Sequence, residues 1–303
     1  MNLINRAIVS TIPLVPRSIV RKISERYIAG TTMADATKVI RELQQKKCCA
    51  TLDMLGEYIH KKEEASEAVN EYMAALETIK SEDLDSNISI KLSQMGLGLD
   101  KEFCYKNIKQ VVEKAQSLQN FVRIDMEDAT YTTATLDIFK RLRKDFDNVG
   151  IVLQAYLRRT RADIRDLHAE LDNLNTRLCK GIYIEKRTIA FRDPSIINNN
   201  YTSLLEELLS SGTYVGIATH DEKLVWQALE IIDKLGLEKD RYEFQMLLGV
   251  DEELRDIITD AGHKLRIYIP FGRHWYAYSV RRLKENPKIA GYVLQNLLRM
   301  NKP

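Results

Sequence analysis

The clearest starting point for chemistry is the stretch RIYIPFGRHWYAYSVRRLKEN (266–286), near the end of the chain. Two adjacent arginines, Arg281 and Arg282, follow the aromatic side chains of Trp275 and Tyr278. An arginine presents a planar fork of donors that can grip a carboxylate with two parallel hydrogen bonds. Taken alone, the pair is more typical of a solvated helix face, on which Arg281 would pair with Glu285 four residues later. The arginines acquire a function only if other elements bring them to a site.

Polar residues also recur in segments that otherwise have the apolar composition of buried strands. Burying such groups without partners is costly. Each has an ordinary explanation by itself: Lys91 can be ion-paired, His220 can be satisfied in a core, and Tyr183 can simply pack. Together they would form a functional site only in a fold that brings these segments close to one another. The set is Lys91, Asp125, Gln154, Arg177, Lys180, Tyr183, Thr219, His220, Gln245 and Tyr268.

Eight short runs rich in β-branched and apolar residues alternate with amphipathic stretches, which is typical of successive βα units. In the stretch 100–119, for example, Ile108, Val111, Val112 and Ala115 fall on one helical face. Eight such units predict an α/β fold of the (β/α)₈ TIM-barrel type, with an open doubly wound sheet as the alternative. The predicted strands are 48–54, 88–93, 121–126, 149–157, 176–183, 213–219, 242–248 and 264–270.

The predicted organisation is an N-terminal helical segment, residues 1–46, followed by the barrel, residues 47–303. In this fold the active site lies at the carboxyl ends of the strands. The polar residues named above lie within the predicted strands or just after them, and several, such as Asp125, Thr219 and His220, come at strand ends. A polar ligand bound at the barrel mouth explains all of these residues at once, whereas otherwise each would need its own structural explanation.

Composition and motifs exclude several other functions. The net charge of +2 gives no electrostatic argument for nucleic-acid binding, and the four cysteines have neither zinc-site nor disulfide-framework spacing. There is no HExxH, GxSxG or P-loop motif. Gly96 and Gly98 lack the third glycine of a dinucleotide-binding turn. No metal site is predicted, and we expect a reducing, cytoplasmic compartment.

The N-terminus, MNLINRAIVSTIPLVPRSIVRK, is apolar and basic but is interrupted by two prolines and by arginines. It is too broken for a transmembrane helix. The simplest expectation is a helix that packs on the domain. The alternative is a segment that contacts the inner face of the membrane peripherally.

The strand-end segments resemble, in order, the motifs of the proline dehydrogenase family. The segments are TLDMLGE, SIKLS, RIDMED, VLQAYLRR, RLCKGIYIE, ATHD, EFQMLLG and RIYIPFGRHWYAYSVRRLKEN. The resemblance implies a distorted (β/α)₈ barrel that binds FAD, in the monofunctional bacterial form. It further implies oxidation of L-proline to Δ1-pyrroline-5-carboxylate, with electrons passed to a quinone.

The same resemblance implies roles for substrate-binding residues. Arg281, Arg282 and Lys91 would surround the substrate carboxylate, and the final helix, about 276–286, would close the site. Glu285 would pair with the arginines when no substrate is bound. Asp125 would orient Lys91 or Tyr268. The residues implied to take part in catalysis are Lys91, Asp125, Tyr268, Arg281 and Arg282. The walls around the pyrrolidine ring would be Tyr183, Leu247, Tyr268 and Tyr278.

The resemblance also implies a set of FAD contacts. Arg177 and Lys180 would touch the isoalloxazine ring or its side chain, Gln154 the ring edge, and Thr219 and His220 the ribityl and phosphate portion. The remaining implied contacts are Asp125, Gly181, Tyr183 and Gln245. Ile182 stands where the family usually has alanine, which adds bulk near the flavin.

Three other functions stay open at this point. One is a dehydrogenase for another cyclic imino acid such as hydroxyproline. Another is a barrel lyase without flavin that uses Lys91 or Lys180 as a Schiff base. The third is a barrel that binds flavin without catalysis.

Overall fold

The computed structural model describes residues 20, 21, 24–56, 58–276 and 278–280. Eight parallel strands close into a barrel in chain order, with β1 beside β8. The predicted (β/α)₈ barrel is therefore confirmed, and the open-sheet alternative is wrong. The strands are Cys49–Met54 (β1), Ser86–Ile90 (β2), Val122–Ile124 (β3), Val149–Gln154 (β4), Asn175–Cys179 (β5), Tyr214–Ala218 (β6), Tyr242–Leu247 (β7) and Leu265–Phe271 (β8).

Helices alternate with the strands, and the first helix whose bounds the structure gives, Met33–Gln45, precedes β1. This first helix packs on the outside of β1 and β8, so it covers the seam where the barrel closes. The helices are Met33–Gln45 (α1), Lys62–Ser81 (α2), Lys101–Ser117 (α3), Thr132–Arg143 (α4), Thr160–Glu170 (α5), Pro194–Ser210 (α6), Glu222–Leu235 (α7) and Glu252–Asp260 (α8).

Local sequence explains where several helices begin. Thr32 caps α1 in a capping box with Asp35, and the Asp100 side chain accepts from the Phe103 backbone N–H at 2.6 Å at the start of α3. Asp193 caps α6, whose first residue is Pro194. Helix α3 buries the apolar face predicted for it, including Ile108 and Val111.

Four predicted strands run at least two residues too far at their carboxyl ends, and one of them is the third, which ends at Ile124 rather than at residue 126. Strand β2 ends at Ile90, because the chain turns there and the Gln94 N–H bonds the Lys91 carbonyl at 3.1 Å. The fourth ends at Gln154 rather than at residue 157. Strand β5 ends at Cys179, so Lys180, Gly181 and Tyr183 lie on the following loop. Apolar composition continues past these ends because loops at a barrel mouth are themselves packed.

The apolar core forms a ring between the strands and the helices, where outward-facing side chains such as Leu52 and Ile124 are fully buried. The barrel interior is polar instead. Since side chains alternate along a strand, Asp53, Arg177 and Gln245 point inward from their strands. The barrel therefore positions its charged groups along its own axis.

Some predictions fall outside the described residues. These concern Arg281, Arg282, Glu285, the N-terminal residues 1–19 and most of the final helix. Within the described part, residues 275, 276 and 278–280 are helical, and the Ser24 hydroxyl contacts that of Ser279 at 2.6 Å. None of the described helices is both long and apolar enough to cross a membrane.

Candidate active site

A cavity of about 640 Å³ opens at the carboxyl ends of the strands. Its size suits a small-molecule or cofactor site. Every predicted site residue that the structure describes lines it, and these are Lys91, Asp125, Gln154, Arg177, Lys180, Gly181, Tyr183, Thr219, His220, Gln245, Leu247, Tyr268 and Tyr278. The fold thus brings together residues that are far apart in the sequence.

Lys91 is held by a partner that sequence reasoning missed. Its Nζ lies 2.5 Å from Asp53 Oδ1, and both side chains are almost fully buried. The Tyr268 hydroxyl is 3.4 Å from the same nitrogen. Asp53 is the penultimate residue of β1, in the sequence TLDM, and an acidic side chain near the carboxyl end of an otherwise apolar strand was the signal that could have identified it.

Asp125 contacts four neighbouring side chains at the mouth. Its Oδ1 accepts from Arg177 Nη1 at 2.8 Å and from Ser89 Oγ at 2.6 Å. Its Oδ2 accepts from the Tyr268 hydroxyl at 2.7 Å and lies 3.9 Å from Lys91 Nζ. Burial raises the pKa of Tyr268, and the negative charge of Asp125 raises it further, so the phenol stays protonated and donates.

Arg177 is buried and its guanidinium is fixed on several sides. Its Nε donates to Gln245 Oε1, its Nη1 donates to Asp125, and its charge lies 5.2 Å from the centroid of the Tyr268 ring. The Gln245 amide is used at both ends, because its Nε2 donates to Glu243 at 2.6 Å. Glu243 lies below the cavity and was not predicted.

Gln154 offers an acceptor to the cavity. Its Nε2 donates to the carbonyls of Met126 at 3.1 Å and Glu127 at 3.3 Å, which fixes the direction of the amide. Its Oε1 is buried and has no hydrogen-bond partner among the described residues. A buried amide oxygen without a partner is costly, so this atom indicates a ligand with an N–H group.

A second polar group lies where the strands β5, β6 and β7 end. Lys180 Nζ pairs with Asp221 at 2.7 Å. Although burial opposes it, hydrogen bonding to Lys180 lowers the pKa of Asp221. His220 Nε2 accepts from the Leu247 backbone N–H at 2.8 Å, so the ring is neutral and carries its proton on Nδ1.

The loop after β5 is shaped by one glycine. Gly181 has a φ of +96°, and a Cβ at this position would lie 2.1 Å from the Tyr156 ring. Only glycine tolerates both the conformation and the close approach. The loop can therefore fold over Tyr156 and present Lys180 and Tyr183 to the cavity.

In the part of the chain that the structure describes, each cation that lines the cavity is paired with a carboxylate, and the lining also contains Glu127, whose carboxylate accepts from Ser93. Lys91 pairs with Asp53, Arg177 with Asp125, and Lys180 with Asp221. A carboxylate ligand would have to compete with these acids for the same cations. Tight binding of an anion therefore needs further positive charge above the cavity.

The sequence and the fold both match known proteins. The family model for proline dehydrogenase matches residues 36–295. Proline dehydrogenase 2 of Bacillus subtilis is 35% identical over 90% of this chain and 89% of its own length. Proline dehydrogenase of Deinococcus radiodurans is 34% identical over 91% of this chain and 90% of its own length.

Among solved structures, the fold matches proline utilization A from Bdellovibrio bacteriovorus, in a crystal structure inactivated by N-propargylglycine, with a TM-score of 0.83 at 23% identity. The match covers 93% of this chain but 34% of that longer protein. It supports the barrel fold. Taken with the family model and the full-length relatives, the cavity at the barrel mouth leads to one conclusion: this chain belongs to the proline dehydrogenase family.

Proposed function

We propose that the enzyme oxidises L-proline to Δ1-pyrroline-5-carboxylate with FAD as its cofactor. The observation that carries the proposal is that one cavity contains every described residue that the family resemblance implied for substrate and flavin. Proline dehydrogenases that match over about nine-tenths of their length favour the same reaction.

The residues present fit a flavin. The buried Gln154 Oε1 offers an acceptor to a ring N–H, and the partner it lacks within the described chain would come from the ligand. Arg177 and Lys180 would contact the ring and its side chain, and Thr219 and His220 the ribityl and phosphate portion. Bound FAD supplies the acceptor for a hydride equivalent from the substrate.

The chain's own part in the reaction is to bind and orient proline. Tyr268 and Leu247 provide walls for the pyrrolidine ring, and Lys91 provides positive charge near its carboxylate. Arg281 and Arg282 complete the carboxylate clamp in this proposal, because they supply cations in addition to those already paired in the cavity. Holding the substrate in one orientation contributes several kcal/mol to the lowering of a barrier.

The two lysines considered for Schiff-base chemistry are both ion-paired with carboxylates. A Schiff-base lysine has to offer its amine lone pair to a carbonyl. This observation favours the flavin mechanism over a lyase. Hydroxyproline remains the second candidate substrate.

The physiological acceptor in this proposal is a membrane quinone, reached by peripheral contact of a cytoplasmic protein with the inner face of the membrane. The basic, apolar N-terminus motivates this contact. Co-sedimentation with anionic liposomes should therefore decrease when residues 1–19 are removed. Equal binding by the two proteins would discard this segment as the contact.

An absorbance spectrum tests the central proposal. The purified protein should be yellow, and anaerobic addition of L-proline should bleach the flavin absorption. D-proline serves as the control. A clamp that holds the carboxylate of the L enantiomer would place the reacting ring carbon of the D enantiomer, the one beside its nitrogen, away from the cofactor. Protein that binds no flavin, or a flavin spectrum that L-proline leaves unchanged, would contradict the proposal.

A further inference from the structure

The hydrogen-bonded network beneath the cavity continues down the barrel to a buried glutamate, Glu243, which is 2% exposed. Its Oε1 accepts from Arg266 Nε at 2.7 Å and from Gln245 Nε2 at 2.6 Å. Its Oε2 accepts from the Tyr214 hydroxyl at 3.0 Å and lies 3.2 Å from Lys264 Nζ. One carboxylate is therefore held by donors from neighbouring strands at the barrel floor.

The contact with Glu243 gives the Gln245 amide a direction. An ionised carboxylate can only accept hydrogen bonds, so it holds the amide nitrogen and turns the amide oxygen upward. The backbone of β6 approaches the same amide closely, since a Cβ at Gly216 would lie 2.4 Å from Gln245 Nε2. The amide has a donor end at Glu243 and an acceptor end at Arg177, with little room to swing.

The direction of the amide matters because Arg177 can only donate. A Gln245 amide turned the other way would place two donors against each other. The guanidinium that Gln245 Oε1 holds is the group that contacts Asp125 at 2.8 Å, and Asp125 accepts the Tyr268 hydroxyl at 2.7 Å. A shift of Glu243 at the floor of the barrel would therefore reach Tyr268 through four successive hydrogen bonds.

Glu243 is ionised at every pH at which the enzyme would work. Burial alone would raise its pKa, but Arg266 and Lys264 outweigh that effect and hold the pKa at about 2. The carboxylate is consequently a permanent acceptor. Its partners Arg266 and Tyr214 do not line the cavity, so among the described residues the hydrogen bond that connects Glu243 to the cavity lining is the one from Gln245.

We propose that Glu243 is a positioning residue for the active site: it fixes the Gln245 amide and, through Arg177, the placement of Asp125 and Tyr268. Its effect on turnover rests on the proposed function. Its effect on the position of Arg177 does not.

The test is a double-mutant cycle with Glu243→Asp and Gln245→Met. Aspartate keeps the charge beside Arg266 but falls one methylene short of Gln245. We expect Glu243→Asp to lower kcat/KM for proline by about tenfold to about a hundredfold, the range that follows a displaced site group. The visible spectrum of bound flavin should shift as well. In the Gln245→Met background the same change should alter kcat/KM by less than about twofold, because the hydrogen bonds that connect residue 243 to Arg177 are already absent.

Glu207→Asp is the matched control, because Glu207 is an ion-paired glutamate on α6 outside the cavity, 2.5 Å from Arg161. It should leave the kinetics and the flavin spectrum as in the wild type. If Glu243→Asp fails to fold, the double variant Glu243→Met with Arg266→Met removes both buried charges together. Its kcat/KM and the position of Arg177 can then be compared with and without Gln245→Met.

Crystal structures of the variants provide a readout that needs no flavin. Arg177 Nε should leave Gln245 Oε1 in Glu243→Asp. Wild-type kinetics for this variant, effects that multiply with those of Gln245→Met, or an unmoved Arg177 would each overturn the proposal. Failure of the wild type to bind flavin would sink the proposed function alone, since the position of Arg177 would still decide the role of Glu243.

Discussion

At the scale of single residues, the cavity combines paired charges with a few groups left for a ligand. Lys91, Arg177 and Lys180 each have a carboxylate within 3 Å, at 2.5, 2.8 and 2.7 Å. Gln154 Oε1 has no partner in the described chain. Substrate recognition should consequently depend on cations beyond those pairs and on the shape of the walls.

The carboxylate clamp gives the first prediction. Arg281→Met or Arg282→Met should retain flavin but raise KM for proline steeply, because each change removes a charged hydrogen-bond partner worth roughly 2–5 kcal/mol in transition-state binding. Steady-state kinetics with proline and the flavin-to-protein absorbance ratio measure the two effects. Near-normal kinetics in both variants would show that neither arginine binds the substrate carboxylate.

The second prediction concerns Tyr268, whose hydroxyl is already engaged by Asp125. An added hydroxyl on the substrate ring would find little space and no ready partner there, at a cost of about 1–3 kcal/mol. Proline should therefore be preferred over trans-4-hydroxy-L-proline by at least about tenfold in kcat/KM. Tyr268→Ser should narrow the ratio and lower proline turnover.

Tyr268→Phe is the control for this prediction. It keeps the ring wall but removes the hydroxyl, so the preference for proline should persist while turnover falls through loss of the Asp125 contact. If Tyr268→Ser leaves the ratio of the two substrates unchanged, this residue does not set the specificity.

At the scale of elements, the loop after β5 determines how several groups enter the cavity. It leaves the strand at Cys179, turns at Gly181 over the Tyr156 ring, and carries Ile182, which is half exposed and lines the cavity. The side chains that strands contribute to the cavity take their direction from the alternation of side chains along each strand. The side chains that this loop contributes take their position from the backbone conformation at Gly181.

The third prediction tests that conformation. Gly181→Ala should weaken flavin binding and lower Tm, because its Cβ would lie 2.1 Å from the Tyr156 ring. Positive φ adds roughly 1–2 kcal/mol of strain for a residue with a Cβ. Isothermal titration of flavin-free protein with FAD and thermal unfolding measure the two consequences.

Gly236→Ala is the matched control, since Gly236 also has a positive φ, +60°, but no atom lies within 4 Å of the added Cβ. It ends α7 outside the cavity. It should lower Tm modestly and leave FAD affinity intact. Equal FAD affinity for the Gly181→Ala protein and this control would show that the loop conformation does not control the cofactor.

At the scale of the whole molecule, the barrel has an apolar ring outside its strands and charged layers inside them. The interior of such barrels is usually filled by branched apolar side chains. Here the buried Glu243–Arg266 pair and the Arg177–Asp125 pair occupy the axis. These ion pairs therefore contribute both to the stability of the barrel and to the geometry of the site.

The fourth prediction is a pH dependence of stability. The pKa of Glu243 falls from its ordinary value of 4.5 to about 2 on folding. Because a lowered folded pKa stabilises above the unfolded value, this contribution is complete above pH 4.5 and disappears as the pH falls through about 2. It amounts to about 3 kcal/mol. Glu243→Met with Arg266→Met should show a correspondingly smaller loss of unfolding free energy across this window.

Denaturant unfolding at a series of pH values measures the difference, and all the other carboxylates are common to the two proteins and largely cancel. Parallel pH profiles for the wild type and the double variant would mean that Glu243 binds its proton equally in the folded and unfolded states.

The sequence by itself determined the alternation of strands and helices and predicted most of the residues that line the cavity. Apolar periodicity and helix caps are local signals, readable within one element. Strand ends in a barrel meet at one edge, so Lys91, Asp125 and Tyr268 could be assigned to one site once eight units were recognised. The ordered family motifs added the expected ligands.

Only the tertiary structure decided which groups pair. Lys91 and Asp53 are 38 residues apart, and Lys91 and Tyr268 are 177 apart, so no local pattern specifies either contact. Glu243 looked like an ordinary strand residue, yet closure of the barrel surrounds it with Arg266, Gln245 and Tyr214. The physical reason is that composition sets which charges are present, whereas burial and the register of neighbouring strands set which of them must neutralise one another.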